Sequence, residues 1–263
     1  MPLALVPSRA QGPPDPASWG YRVGAAGLAW VKLLYPDHTR ADALWCRDRG
    51  MRVLVRAPGE GQVQDADFGR MLTEFAGVAE VFEIGNKPPA AGLWDHLWYI
   101  ENILTRFTAP CHAAGIRLCS PGWQGATLPP TGALGDRLRA AYARCDLLGV
   151  HCYDPWQLTG GQPPAHLAAW RAWLPDRPIH ITEAGIAAIW LLPGQPRAAQ
   201  DLEKARRYAA FLHSLPPWVE AAFLFLLGGT ADWFAFNAEG YDPNGGNSYI
   251  LSDAAWALLG RSV

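Results

Sequence analysis

The sequence predicts a single α/β domain over residues 1–263, built as an eight-stranded (β/α)8 TIM barrel. Short apolar runs alternate with amphipathic helical patterns along the whole chain. The runs that begin at Ile116, Leu147 and Ile179 start about 31 residues apart, which is a normal length for one βα unit. The composition, with 50% hydrophobic and 17% charged residues, favours one large core. An open doubly wound sheet is the alternative, but no Gly-rich phosphate loop follows the first strand.

Eight apolar runs are predicted to be the strands. They are rich in Val, Ile and Leu, which is typical of parallel strands buried on both faces. The runs cover residues 3–6, 29–34, 52–56, 81–85, 116–120, 147–152, 179–182 and 221–227. A closed barrel makes its first and last strands neighbours, so we expect residues 3–6 to pair with residues near 223–226.

The segments between these runs carry helix start and stop signals. Asp15 and Pro16 form an N-cap and first-turn pair, Thr39 is a second N-cap, and Gly50 follows the end of a helix. The predicted helices cover residues 16–26, 39–49, 65–78, 93–114, 134–144, 164–173, 198–214 and 253–259.

Composition and charge exclude several classes of protein. A net charge of -2 without a run of Lys or Arg argues against a nucleic-acid partner. No apolar stretch reaches the ~18 residues of a membrane span. Five cysteines without a CxxC pair indicate neither a disulfide framework nor a zinc site, and no metal or cofactor is expected. The N-terminus lacks the features of a signal peptide, so we expect a cytoplasmic protein or one released without a signal, as part of a phage particle or another assembly.

The candidate site residues follow the carboxyl ends of the predicted strands, where barrel active sites lie. They include four loop tryptophans, whose indole faces suit the apolar face of a sugar ring and so indicate a carbohydrate ligand. The remaining tryptophans, such as Trp94 and Trp98, are predicted to pack between a helix and the barrel. The candidates are Arg56, Asn86, Lys87, His151, Tyr153, Glu183, Trp123, Trp156, Trp190 and Trp233.

Two short segments about one hundred residues apart, 81–88 (VFEIGNKP) and 181–185 (ITEAG), resemble the clan A glycoside hydrolases. These are retaining glycosidases with a (β/α)8 barrel. Segments 30–32 (WVK), 53–56 (VLVR) and 149–153 (GVHCY) add to the similarity. The resemblance implies that Glu183 occupies the nucleophile position and that Asn86 holds the sugar 2-hydroxyl. It also implies that His151 and Tyr153 line the sugar subsite.

Lys87 stands where the resembled family has its acid/base glutamate. Retaining hydrolysis needs two carboxyl groups ~5–5.5 Å apart, and an ammonium of pKa ~10.4 is a poor proton donor at neutral pH. We expect Lys87 and Glu183 to form an ion pair, within about 4 Å or through one water, that keeps Glu183 ionised. The leading hypothesis is therefore a glycan-binding, glycoside hydrolase-like protein with weak or no hydrolysis.

The sequence is also compatible with two alternatives. One is an active retaining hydrolase that uses Glu183 as nucleophile and a displaced acid, such as Glu60, Asp154 or Asp232. Glu83 is expected instead to be a buried carboxylate paired to Arg56 or Lys32. The other alternative is a Schiff-base enzyme that uses Lys87, with Glu183 moving the proton.

Overall fold

The computed structural model describes residues 3–7, 29–58, 65–87, 92–123, 128–153, 165–185 and 197–227. These residues form an α/β fold with eight strands and six helices. The strands are β1 (Leu3–Pro7), β2 (Trp30–Leu34), β3 (Arg52–Arg56), β4 (Val81–Glu83), β5 (Arg117–Cys119), β6 (Leu148–Cys152), β7 (Ile179–Ala184) and β8 (Val219–Leu227). The helices are α1 (Arg40–Arg47), α2 (Asp65–Phe75), α3 (Leu93–Ala113), α4 (Gly132–Tyr142), α5 (Ala165–Trp173) and α6 (Arg197–Ser214). The predicted helices at 16–26 and 253–259 lie outside the described residues.

All strand pairs are parallel, and they form one sheet in the order β5-β4-β3-β2-β1-β8-β7-β6. Strand β1 lies between β2 and β8, because Ala4 pairs with both Trp30 and Phe223. The expected pairing of the first and last strands is therefore confirmed.

Strands β5 and β6 stand at the two ends of this order and are joined by single bridges. The amide of Ser120 donates to the carbonyl of Leu147 at 3.0 Å, and the amide of Leu147 donates to Leu118 at 3.1 Å. Further along, the amide of His151 donates to the carbonyl of Trp123 at 2.7 Å. These bonds belong to isolated bridges and not to a continuous ladder, so closure of the barrel stays a prediction.

Two buried clusters occupy opposite faces of the sheet. Val31 and Leu33 belong to the large cluster, which also contains buried residues of the helices. Trp30 belongs to a smaller cluster, and because side chains alternate along a strand, this cluster lies on the face away from the helices. Its members come from β2, β3, β4, β5 and β8 and from the residue before β6; they are Trp30, Leu54, Val81, Cys119, Leu147, Ala221 and Phe223.

All five cysteines are buried and free, as the absence of a disulfide pattern predicts. No helix within the described ranges is both long enough and apolar enough to cross a lipid bilayer.

Candidate functional site

The candidate site lies one layer above the small cluster, on the same face of the sheet. Lys32, Arg56 and Glu83 each follow a member of that cluster by two residues on β2, β3 and β4. A spacing of two residues keeps a side chain on the same face of a strand. These three charged groups therefore meet near the carboxyl ends of the strands.

Glu183 reaches this layer because β7 is irregular. The pairing of β6 with β7 passes from Val150–Ile181 directly to His151–Glu183, so β7 carries one extra residue there. An extra residue of this kind is a β-bulge, which re-aims the side chains that follow it. Glu183 thus lies opposite His151 and close to the charged groups of β2 and β3.

Both carboxylate oxygens of Glu183 have partners, and its side chain is 6% exposed. Arg56 Nη1 donates to Oε1 at 2.7 Å, and the hydroxyl of Tyr153 donates to Oε2 at 2.6 Å. Lys32 Nζ lies 3.5 Å from Oε1, and His151 Nδ1 lies 3.5 Å from Oε2. The same guanidinium of Arg56 donates to Asn86 Oδ1 at 3.1 Å, which ties Asn86 to this group.

These partners keep Glu183 ionised. Burial raises the pKa of its carboxyl, but the interactions with His151, Lys32 and Arg56 and the Tyr153 hydrogen bond lower it to about 2. Burial, together with the neighbouring Glu183 carboxylate, raises the pKa of Tyr153 well above its ordinary value, so its hydroxyl keeps the proton that it donates.

The expected direct ion pair between Lys87 and Glu183 is not formed. Within the described ranges, the cations that reach Glu183 oxygens within 4.0 Å come from Arg56, Lys32 and His151. The physical reason is that Arg56 and Lys32 project from strands on the same face and occupy Oε1. Because side chains alternate between the two faces of a strand, the positions of Lys32 on β2 and Arg56 on β3 could have identified these two cations from the sequence.

Glu83 is a fully buried partner of Lys32, as expected. Lys32 Nζ lies 2.6 Å from Glu83 Oε2, and both side chains have no exposed surface. Burial raises the pKa of Glu83, but the interaction with Lys32, followed by those with His151 and Arg56, brings it below its ordinary value.

Gly122, which follows β5, lies against the ring of His151 on β6. A side chain at Gly122 would overlap the imidazole of His151 and come within 2.5 Å of Thr182 Oγ1. Glycine at this position therefore leaves the space that His151 occupies beside Glu183.

Trp123 belongs to a buried aromatic cluster. It is 6% exposed, and its ring centroid lies 5.3 Å from that of Trp170, with Tyr142 and His96 nearby. Its indole therefore offers little open surface to a ligand. Trp156, Trp190 and Trp233 lie outside the described residues, so their place around a cleft stays a prediction.

The prediction that Trp94 and Trp98 pack between helix and barrel is wrong. They are 55% and 66% exposed on α3, because that helix buries its opposite face. The guanidinium of Arg137 lies 5.5 Å from the ring centroid of Trp94. The buried residues of α3 are His96, Leu97, Tyr99, Ile100, Ile103, Leu104 and Cys111.

The fold is similar to that of the clan A glycoside hydrolases. An endo-β-1,3-glucanase of glycoside hydrolase family 128, subgroup II, from Sorangium cellulosum superposes with a TM-score of 0.61 at 18% identity, over 98% of each chain. A family 5 xyloglucanase from Paenibacillus pabuli gives 0.59 at 14% identity, over 100% of this chain and 98% of the other.

A family 39 glycoside hydrolase from Bacteroides cellulosilyticus WH2 gives a TM-score of 0.64 at 14% identity, over 98% of this chain and 63% of the other. At these identities the likeness concerns the fold. No protein-family model and no curated protein matches the sequence.

Proposed function

We propose that this protein is a carbohydrate-binding, glycoside hydrolase-like protein with weak or absent hydrolysis. One observation carries the proposal. Glu183 is held as a buried, ionised carboxylate by Arg56 and Tyr153 at the carboxyl ends of the strands. Lys87 follows Asn86, where the resemblance places the acid/base glutamate.

Within the described ranges, the site offers polar groups suited to sugar hydroxyls, but its second carboxylate is not free to protonate a leaving oxygen. Glu183 accepts hydrogen bonds, and Arg56, Asn86 and Tyr153 add polar groups around it. The second carboxylate of the described site, Glu83, is fully buried and paired with Lys32. General acid catalysis contributes ~10²–10⁴-fold, so hydrolysis without it is slow.

The proposal includes a closed (β/α)8 barrel formed by one domain over residues 1–263. The bonds from Ser120 to Leu147 and from His151 to Trp123 support closure, because they link the two strands at the ends of the sheet order. The small cluster supports it as well, since strands from both halves of the sheet contribute to one layer of side chains.

The ligands to test first come from the neighbouring structures. Two of them are described as an endo-β-1,3-glucanase and a xyloglucanase. Oligosaccharides of β-1,3-glucan and of xyloglucan are therefore the first probes. Trp156, Trp190 and Trp233 are the proposed aromatic contacts for these chains.

A second candidate function is a retaining hydrolase with a displaced acid. The contacts of Glu183 favour it. The carboxylate is ionised, as a nucleophile must be, and the cations within 4.0 Å of it in the described ranges are Lys32, Arg56 and His151 rather than Lys87. Its proton donor would come from Glu60, Asp154 or Asp232, which lie outside the described residues.

Calorimetric titration with the two classes of oligosaccharide tests carbohydrate binding. We expect binding by the parent protein and about tenfold weaker binding by Glu183→Gln, because a charged hydrogen-bond acceptor is lost. Glu101→Gln is the matched control, since Glu101 pairs with Arg137 on the outer helices α3 and α4. A protein that binds neither these probes nor any member of a glycan array contradicts the proposal.

Turnover assays separate the two candidate functions. Robust hydrolysis of an unactivated glycan, abolished by Glu183→Gln and unaffected by Lys87→Ala, indicates a working hydrolase with another acid. Slow or absent turnover with retained binding supports the binding protein. Borohydride trapping of a carbonyl ligand on Lys87 would identify the Schiff-base alternative.

A further inference from the structure

Lys32 connects three strands beneath the candidate site. Its ammonium lies 2.6 Å from Glu83 Oε2 on β4 and 3.5 Å from Glu183 Oε1 on β7. It also donates to the carbonyl of Thr182 at 3.0 Å. One buried side chain of β2 thus holds the strands that lead to Asn86 and to Glu183.

The carboxylate of Glu83 offsets the cost of burying the Lys32 ammonium. A buried charge is costly unless it is paired, and the closest carboxylate oxygen to Lys32 belongs to Glu83. Glu83 has no exposed surface, so a ligand in the site cannot reach it. Its contact with Lys32 is therefore internal to the protein.

Lys32 and Arg56 both place a positive charge beside Glu183, but they differ in solvent exposure. The side chain of Arg56 is 18% exposed and also bonds Asn86, so it is available to solvent and ligand. The side chain of Lys32 is 0% exposed. Its charge beside Glu183 is consequently present whether or not the site is occupied.

We propose that Lys32 is a positioning residue for Glu183, and that Glu83 holds Lys32 in place so that the Glu183 carboxylate stays anionic and fixed in orientation. This role rests on the proposed function, in which Glu183 stands at the nucleophile position of the glycosidases that the sequence resembles. The groups that contact Glu183 are Lys32 from β2, Arg56 from β3, His151 from β6 and Tyr153 directly after β6. Glu83 from β4 contacts Lys32 and lies 4.0 Å from His151 Nε2.

The test removes both charges of the buried pair at once. Lys32→Met alone leaves Glu83 as an unpaired buried carboxylate, which is expected to destabilise the fold. Lys32→Met/Glu83→Gln leaves no such charge. Glu83→Gln alone is the matched control, since Lys32 keeps its contacts with Glu183 and Thr182. Lys32→Gln/Glu83→Gln, which replaces the ion pair by two uncharged amides, is the second double variant should the first not fold.

The measurement is carbon-13 NMR titration of the Glu183 carboxyl, assigned by the loss of its signal in Glu183→Gln. In the parent and in Glu83→Gln we expect no titration of Glu183 above about pH 3, because its pKa is about 2. In the double variant we expect the midpoint to rise by about one pH unit, because the cation 3.5 Å from Glu183 Oε1 is removed.

A midpoint in the folded double variants that is no higher than that of the parent overturns the proposal, as does an equal rise in Glu83→Gln. A purely structural role would change the stability of the variants without moving this titration. Since no glycan is present in the experiment, its result is independent of whether the protein binds carbohydrate.

Discussion

Glu183 draws its partners from residues far away in the sequence. Arg56 is 127 residues distant, and Lys32 is 151 residues distant. Both reach the same oxygen, which leaves Tyr153 and His151 to face the other. The chemistry of this carboxylate therefore depends on tertiary contacts between two pairs of strands, β2 with β3 and β6 with β7, and the two pairs are not neighbours in the sheet order.

Replacement of Lys87 by glutamate tests what position 87 contributes. Lys87→Glu adds a carboxylic acid next to Asn86, at the position of the acid/base residue in the resembled family. We expect hydrolysis of an activated aryl glycoside to appear or to rise by about 10²-fold, the lower range of general acid catalysis. The release of the aryl group measures this directly.

Lys87→Ala is the control for that experiment, because it removes the ammonium without adding an acid. We expect no gain in turnover from general acid catalysis in this variant. A folded Lys87→Glu protein without any gain in turnover would show that position 87 does not face the leaving group.

The stability of the protein should fall in acid partly through Glu183. Its pKa is about 2 in the folded protein and ~4.3 in an unfolded chain, so the folded state is favoured when the carboxyl is ionised. The contribution is fully present above about pH 4.3 and is lost as the pH falls towards the folded pKa. Its size is on the order of 3 kcal/mol.

Urea unfolding of the parent and of Glu183→Gln at neutral pH and at about pH 3 measures this contribution. We expect a smaller acid loss of unfolding free energy in the variant, since a glutamine does not titrate. Identical losses in the two proteins would assign the acid sensitivity to other carboxylates, such as Glu83.

At the scale of elements, Gly122, which follows β5, leaves the space that the His151 ring of β6 fills. Gly122→Ala places a methyl group into the His151 ring, and we expect a loss of about 1–3 kcal/mol together with displacement of His151 from Glu183. Urea unfolding and the nitrogen-15 chemical shifts of the imidazole report the two effects.

Gly69→Ala provides the matched control. Gly69 lies in α2, and an added Cβ there meets only Phe107 at 3.9 Å. Alanine is the better helix former by about 1 kcal/mol, so this substitution should be neutral or stabilising. Equal destabilisation by both substitutions would contradict the role assigned to Gly122.

The elements themselves could be predicted because strand and helix patterns are local. The predicted strand at 52–56 has the bounds of β3, and the predicted helix at 93–114 exceeds α3 by one residue. The extra residue on β7 could not be predicted, because the apolar run 179–182 carries no mark of a bulge. Similarly, the spacing of Trp94 and Trp98 places them on one helix face without saying which face is buried.

At the scale of the whole molecule, hydrogen exchange tests closure of the barrel. If β5 and β6 meet in solution, the amides of Ser120, Leu147 and His151 should be protected to a similar degree as Arg52, whose amide bonds Ala29 within the sheet. Exchange of these three amides at the rate of an unstructured peptide, with Arg52 still protected, would indicate an open sheet.

The exposed tryptophans of α3 have a practical consequence for spectroscopy. Trp94 and Trp98 are 55% and 66% exposed, whereas Trp30 and Trp170 are fully buried. Solvated indoles emit at longer wavelengths and are quenched by iodide, while indoles in the core are shielded from it. Intrinsic fluorescence of the protein therefore contains a solvent-facing component that arises on the outer surface of the fold. Replacing Trp94 and Trp98 by phenylalanine removes their contribution, so that emission from the other tryptophans can be followed without it.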